Sequence, residues 1–136
     1  MHTSTLASFN ALEKITAYQF AGKHLFANYF KCDVEALNNH EQLLDTMIKA
    51  VELSGATLLQ CVHHEFHPKG FAVVMLLSES HASIHTYPEH QACFIDIFTC
   101  GDHCDVEIFE QALREYLLPQ GISKKIYVRG LEVVQR

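Results

Sequence analysis

The chain has 136 residues and a mass of 15.5 kDa, and 49% of its residues are hydrophobic. A chain of this size is expected to form one domain that buries about two-thirds of its unfolded surface. Its formal net charge of −6 and isoelectric point near 5.9 argue against nucleic acid or an anionic membrane as a partner.

Targeting and redox signals point to the cytoplasm. The sequence has no run of ~18 apolar residues, and it lacks the basic region and apolar core of a signal peptide. Its five cysteines are an odd number without the spacing of a disulfide framework, which indicates reduced thiols. A cytoplasmic protein that contacts no membrane is therefore predicted.

The first half of the chain predicts a strand and a helix. Residues 1–18 are expected to be an N-terminal extension, as a weak amphipathic helix or a partly disordered segment, ahead of a domain over 19–136. The aromatic-rich residues 24–32 predict a strand. Apolar residues then recur at helical spacing over about 41–53, between an N-cap at Asn38-Asn39 and a stop at Gly55.

The second half predicts five strands and one helix. The helix begins after its N-cap Asp105 and ends before Pro119. The strands are predicted over 57–66, 70–77, two arms of a central hairpin, and 125–134. The order β-α-β-β-β-β-α-β predicts an α/β (α+β) fold, a two-layer sandwich with a mainly antiparallel sheet and helices on one face.

The central hairpin carries the most unusual pattern. From residue 81 to 85, two apolar residues alternate with imidazoles and a hydroxyl, which predicts a half-buried strand with a polar face. A turn centred on His90 would place Ser80 opposite Cys100, with Cβ atoms about 5 Å apart. A slip of one residue would send Cys100 to the other face. A hydroxyl beside a thiol suggests a nucleophile with a proton donor; the alternative is an ordinary hairpin with a buried cysteine.

Several motifs resemble the prokaryotic S-adenosylmethionine decarboxylase family, whose members are self-cleaving, pyruvoyl-dependent enzymes of polyamine (spermidine) biosynthesis. The resemblance covers roughly residues 22–128. It rests on these segments: Glu79-Ser80-His81-x-Ser83-Ile84-His85-Thr86-x-Pro88-Glu89, Thr99-Cys100-Gly101, Gly22-x-His24-Leu25, Ser54-Gly55-Ala56-Thr57 and His64-x-Phe66-x-Pro68-x-Gly70.

The resemblance implies a proenzyme that cleaves itself between Glu79 and Ser80 into chains of residues 1–79 and 80–136. The Ser80 hydroxyl would attack the Glu79 carbonyl, and elimination and hydrolysis would leave a pyruvoyl group at residue 80. That group would form a Schiff base with the amine of S-adenosylmethionine and accept the electrons released with CO₂. Cys100 matches the family's proton donor, a role that a protonated thiol in a dry site can fill.

Three further residues match functional positions of the family. His85 matches the histidine that serves processing and lies against the adenine, Phe66 the aromatic that stacks on adenine, and Glu89 the carboxylate that binds the ribose hydroxyls. Along a regular strand Ser80 and His85 have opposite parity and lie about 16 Å apart. His85 therefore cannot serve the Ser80 of its own chain, which predicts a homodimer with active sites at the interface.

The sequence departs from the family at two places. Tyr87 stands where Trp is usual, and Gly70-Phe71-Ala72-Val73 replaces Gly-Val-Ser-Gly. The serine missing at Ala72 normally assists processing, so slower self-cleavage is expected. The bulkier Phe71 and Val73 are expected to reshape the substrate pocket.

Three alternatives remain open. The first is the same chemistry on arginine or ornithine, with an acidic partner for the distal cation among Glu65, Glu89 and Asp102. The second is a non-catalytic partner subunit. The third is a metal protein, but no histidine or cysteine pair has a convincing partner pair, so no metal site is expected: His63/His67, His81/His85 and Cys100/Cys104. The other cysteines are expected to pack as small hydrophobic residues: Cys32, Cys61, Cys93 and Cys104.

Overall fold

A computed structural model describes residues 21–100 and 103–130 and shows a sheet covered on one face by helices. Its six strands are β1 (Ala21–Phe30), β2 (Leu58–Glu65), β3 (Phe71–Leu77), β4 (Ser80–Tyr87), β5 (Ala92–Cys100) and β6 (Gly121–Gly130). The helices of this part are α1 (Val34–Asn38), α2 (His40–Leu53) and α3 (Val106–Leu117). The strand order is β2-β3-β4-β5-β1-β6, and every neighbouring pair is antiparallel. The predicted two-layer α/β sandwich is confirmed.

Both predicted helices begin at their predicted caps. The Asn39 side chain accepts a hydrogen bond from the Gln42 amide at 3.1 Å, and Asp105 accepts one from the Glu107 amide at 2.9 Å. The short helix α1, capped by Asp33, was not predicted. No helix among the described residues is long and apolar enough to cross a membrane. The predicted N-terminal extension over 1–18 lies outside the described residues, as do the last four residues of the predicted strand 125–134.

The register of the ladders separates the sheet into two faces. Met75, Ala82, Ile97 and Leu25 oppose one another on four adjacent strands, and all are buried under the helices. In each strand, the residues directly before and after these four point away from the helices, and the face that they form is called the open face. It carries large apolar side chains that are 38–66% exposed: Phe26, Phe30, Val62, Val74, Leu76, Tyr87, Phe94 and Tyr127.

The predicted register of the central hairpin is wrong by one residue. Ser80 pairs with Thr99, not with Cys100. The last pair, Tyr87 and Ala92, encloses a connection of four residues, which form a 3-10 turn and end at Gln91 with φ of 51°. Cys100 therefore lies on the open face, whereas Ser80 lies on the opposite face of the sheet, the one that the helices cover.

A buried carboxylate joins α3 to the sheet. Glu110 is fully buried and accepts hydrogen bonds from the Tyr29 hydroxyl at 2.7 Å, from Arg114 Nε at 2.9 Å and from Lys124 Nζ at 3.3 Å. Burial acts to raise the pKa of Glu110, but the hydrogen bonds from Arg114 and Tyr29 hold it below its usual range. The ionised carboxylate therefore contributes to stability.

Glu110→Ala should lower the free energy of unfolding by about 2–3 kcal/mol at neutral pH, because it removes the buried carboxylate that pairs with Arg114 and leaves the Tyr29 hydroxyl with only the backbone carbonyl of residue 110, at 3.0 Å, as acceptor. Since the pKa is lowered in the folded state, this contribution disappears as the pH falls below the ordinary carboxyl value near 4.5. Denaturant unfolding at neutral and acid pH measures both effects. Glu107→Ala is the matched control: Glu107 also binds Lys124, but its side chain is 58% exposed, so the loss should stay under about 1 kcal/mol.

Candidate active site

Three of the predicted site residues meet in one pocket at the turn end of the central hairpin. Phe66, His85 and Glu89 line a cavity of about 250 Å³, together with Lys69 and Tyr87. An aromatic ring can stack on a nucleobase, an imidazole can hydrogen-bond to a polar group, and a carboxylate can accept hydrogen bonds from a diol. The structure therefore brings together the residues that the resemblance assigns to adenine and ribose.

The turn between β2 and β3 shapes this pocket. Gly70 has φ of 113°, a conformation that side chains disfavour, and its carbonyl accepts a hydrogen bond from the Phe66 amide at 2.8 Å. The Phe71 amide donates to the Thr86 hydroxyl at 2.9 Å, which joins the start of β3 to the end of β4. These bonds hold Phe66 beside the strand that carries His85.

Of the three altered residues after Gly70, one lies on the open face. Ala72 opposes His85 across the β3–β4 ladder, which is where the family's serine would stand. Val73 is fully buried under the helices, and the Phe71 ring, although part of the pocket wall, is 2% exposed and stacks on His40 with ring centroids 4.3 Å apart. The expectation that both bulkier residues reshape the pocket is therefore wrong for Val73, which does not line the pocket. Phe71 does line it, but most of its side chain is buried in the core.

The predicted cleavage position lies at the opposite end of β4. Ser78 and Glu79 form the tight turn between Leu77 and Ser80, which pair with each other. The Cys100 amide donates to the Glu79 carbonyl at 3.2 Å. The carbonyl that Ser80 would attack is thus polarised by an amide of the neighbouring strand.

Thr57 fixes this turn from both sides. Its carbonyl accepts from the Ser78 amide at 2.9 Å, and its own amide donates to Glu79 Oε1 at 3.0 Å. His103 Nε2 lies 3.2 Å from the other carboxylate oxygen. Burial opposes ionisation, but the bonds from Thr57 and His103 hold the pKa of Glu79 below its usual range. Sequence reasoning missed these contacts, although Thr57 stands in one of the matched motifs.

Gly55 explains the rest of that motif. It has φ of 94°, and a Cβ atom there would lie 2.5 Å from the His103 carbonyl oxygen. The Asp105 amide also donates to the Ser54 carbonyl at 2.8 Å. The end of α2 thus anchors residues 103–105 beside Glu79.

A polar cluster lies in the middle of the open face. Asp96 accepts hydrogen bonds from His24 Nε2 at 2.7 Å, from His81 Nε2 at 3.2 Å and from the Ser83 hydroxyl. Arg129 donates to His24 Nδ1 at 3.0 Å. Because an arginine can only donate, Nδ1 of His24 is the acceptor in this contact, and Nε2 is the atom that faces Asp96. Sequence reasoning noted the imidazoles but missed Asp96.

The site residues therefore form two half-sites at opposite ends of one strand. β4 pairs without interruption from Ser80 to Tyr87 with β5, so the regular strand on which the separation of Ser80 and His85 depends is confirmed. Five residues of strand correspond to about 16 Å. His85 is exposed on the open face at one end, and Cys100 lies on the same face at the other.

Sequence comparison assigns the family. The sequence profile described as S-adenosylmethionine decarboxylase matches residues 23–130. The chain belongs to this family. It is 40% identical over 118 residues to an S-adenosylmethionine decarboxylase proenzyme of Brevibacillus brevis, which covers 87% of this chain and 89% of the relative. It is 42% identical over 87 residues to the proenzyme of Oceanobacillus iheyensis, covering 64% of this chain and 69% of that one.

A solved structure supports the assignment. The crystal structure of the adenosylmethionine decarboxylase from Aquifex aeolicus superposes with a TM-score of 0.76 at 30% identity, covering 85% of this chain and 94% of the other. The similarity spans both half-sites, because the family match runs from β1 to the end of β6.

Gly55→Ala should destabilise the protein by about 1–3 kcal/mol, since it forces a side chain into a left-handed conformation against the His103 carbonyl. Thermal unfolding measures this loss. Gly121→Ala is the matched control, because a Cβ there meets its nearest atom, Phe30 Cβ, at 3.6 Å, an ordinary contact. Equal melting temperatures for the two variants would contradict this account of Gly55.

Proposed function

We propose that the protein is a self-processing carboxy-lyase that decarboxylates S-adenosylmethionine through a pyruvoyl group made from Ser80. The product would be the decarboxylated S-adenosylmethionine used in spermidine synthesis. The observation that carries the proposal is the pair of half-sites. Ser80 and Cys100 stand at one end of the β4–β5 hairpin, and His85, Phe66 and Glu89 stand at the other.

The turn at Glu79 fits the chemistry of self-cleavage. Ser80 Oγ attacks the Glu79 carbonyl carbon, the C–N bond breaks, and an ester replaces the amide. The Cys100 amide, 3.2 Å from the carbonyl oxygen, stabilises the charge that develops there. Loss of the Ser80 α-proton then expels Glu79 as a carboxylate, and water replaces the nitrogen of the resulting dehydroalanine, releasing ammonia. Thr57 holds Glu79 in place during this exchange.

The register bears on how residue 80 meets the proton donor. In the intact chain Ser80 alternates toward the helices and Cys100 toward the open face. Cleavage frees residue 80 from Glu79, and as the first residue of a new chain it can turn to the open face. A pyruvoyl group there supplies an electron sink for the electrons released with CO₂. Cys100 would then give its thiol proton to the substrate carbon.

A second copy of the chain would complete the site. The open face carries eight large apolar side chains that are 38–66% exposed, and face-to-face packing of two sheets would bury them. A two-fold axis brings the His85 end of one copy against the Ser80 end of the other. A homodimer of cleaved protomers therefore has two composite active sites.

The pocket favours a nucleoside over a basic amino acid. Phe66 offers a face for adenine, and Glu89 can accept both hydroxyls of a ribose. Of the acidic residues considered for a distal cation, Glu65 lies instead 3.3 Å from His40 on the helix face, and Asp102 lies outside the described residues. Lys69, which also lines the pocket, would repel the side chain of arginine or ornithine.

Intact-mass analysis and turnover test the roles of Ser80 and Cys100. The wild-type chain should yield fragments 1–79 and 80–136, and Ser80→Ala should stay whole and inactive. Cys100→Ala should still cleave, because its amide remains, but should turn over S-adenosylmethionine slower by a factor on the order of 100 to 10,000. Cys61→Ala, a cysteine on β2 away from the hairpin, is the control. Full turnover by Cys100→Ala would reject the proton-donor role.

Co-expression tests the shared site. His85→Ala alone should not process, since no copy supplies the imidazole. When it is co-expressed with Ser80→Ala, about half of the His85→Ala chains should pair with a chain that retains His85, and these should be cleaved. Mass spectrometry distinguishes the two chains. If no His85→Ala chain is cleaved in the mixture, His85 does not act across the interface.

A further inference from the structure

Three side chains beside the cleavage position have the chemistry of a metal site. The ligand atoms of Glu79, His103 and Cys104 all lie within 4.8 Å of one another. We propose that they bind one thiophilic divalent ion of the Zn²⁺ class. No metal site was expected from the sequence, because no histidine or cysteine pair had a convincing partner pair; Glu79, 24 residues from His103, was not considered as a ligand.

The donor set and its spacing suit zinc. An imidazole nitrogen, a thiolate and a carboxylate oxygen are the usual zinc ligands, and three protein ligands leave the fourth position open. Two ligands at about 2.0 Å from a tetrahedral ion lie about 3.3 Å apart. Glu79 Oε2 and His103 Nε2 are 3.2 Å apart, so an ion can replace the proton between them with little movement.

The surroundings hold the ligands in place. Glu79 Oε1 is occupied by the Thr57 amide, which leaves Oε2 for the ion, and such bonds to ligating carboxylates orient them. The backbone of His103 packs against Gly55, and Asp105, next to Cys104, is bonded to Ser54. The site is therefore built on anchored backbone.

The cluster on the open face does not qualify in the same way. His24, His81 and Asp96 also lie within 4.8 Å of one another. However, a metal on His24 Nε2 would require a proton on Nδ1, and Arg129 donates to that nitrogen. Among the groups in the described part of the chain, the one at Glu79 is thus the better zinc site.

An ion at this site would link the two products of self-cleavage, a consequence that rests on the proposed function. Glu79 would end the first chain, and His103 and Cys104 belong to the second. The metal proposal itself needs no cleavage, since all three ligands are in place in the intact chain.

Cobalt titration of the full-length chain tests the site, as purified and as the Ser80→Ala variant. One Co²⁺ per chain should bind with a thiolate-to-cobalt charge-transfer band, and Zn²⁺ should displace it. His103→Asn and Cys104→Ser should each weaken binding more than about tenfold. His103→Asn is the safer variant, because the side chain is 60% exposed and its loss should not affect folding. Cys61→Ser and His64→Asn are controls that should bind as wild type.

Two results would overturn the proposal: wild-type affinity in both His103→Asn and Cys104→Ser, or an equal loss in Cys61→Ser. The readout is separate from turnover. An inactive protein that binds the ion would reject the proposed function and keep the site, and an active protein that does not bind would do the reverse.

Discussion

The pairing of β4 on both of its sides is the constraint on which the rest depends. Hydrogen-bonded to β3 along one edge and to β5 along the other, β4 cannot bulge, bend or slide to bring its ends together. The extended strand therefore keeps Ser80 and His85 about 16 Å apart. Under the proposed function, chemistry that uses both residues would therefore occur between two copies of the chain, and the open face is the surface on which they would meet.

The open face combines two kinds of interaction. It carries exposed aromatic and aliphatic side chains, whose burial would stabilise an assembly. Its centre carries Asp96 with its histidine and hydroxyl donors, all paired within the protomer. Since Asp96 is already paired with these donors, a partner sheet could cover it without leaving an unpaired charge. The apolar side chains would therefore favour association of two sheets, and the internally paired polar cluster would not prevent it.

Local signals in the sequence predict much of this fold. Asn39 and Asp105 cap the helices through bonds to residues two or three positions away, and alternation marks the faces of β4. The predicted register of the hairpin was wrong because the prediction assumed a turn that is symmetric about His90. The actual connection has four residues and ends at Gln91 in the left-handed conformation. The half-sites followed from strand parity together with family motifs. The bonds from Thr57 and His103 to Glu79 could not be predicted, because they join residues 22 and 24 positions apart through the packing of the end of α2.

The order of the strands in the sheet has a consequence for a nicked molecule. Strands β1, β2 and β3 would precede the proposed cleavage position and β4, β5 and β6 would follow it, yet β1 lies between β5 and β6. Neither fragment would therefore contain a contiguous half of the sheet. Separating the fragments would require the loss of three strand pairings at once: β3 with β4, β5 with β1, and β1 with β6. The strands of the two fragments would remain interleaved in one sheet, so cleavage of the backbone would leave the sheet intact.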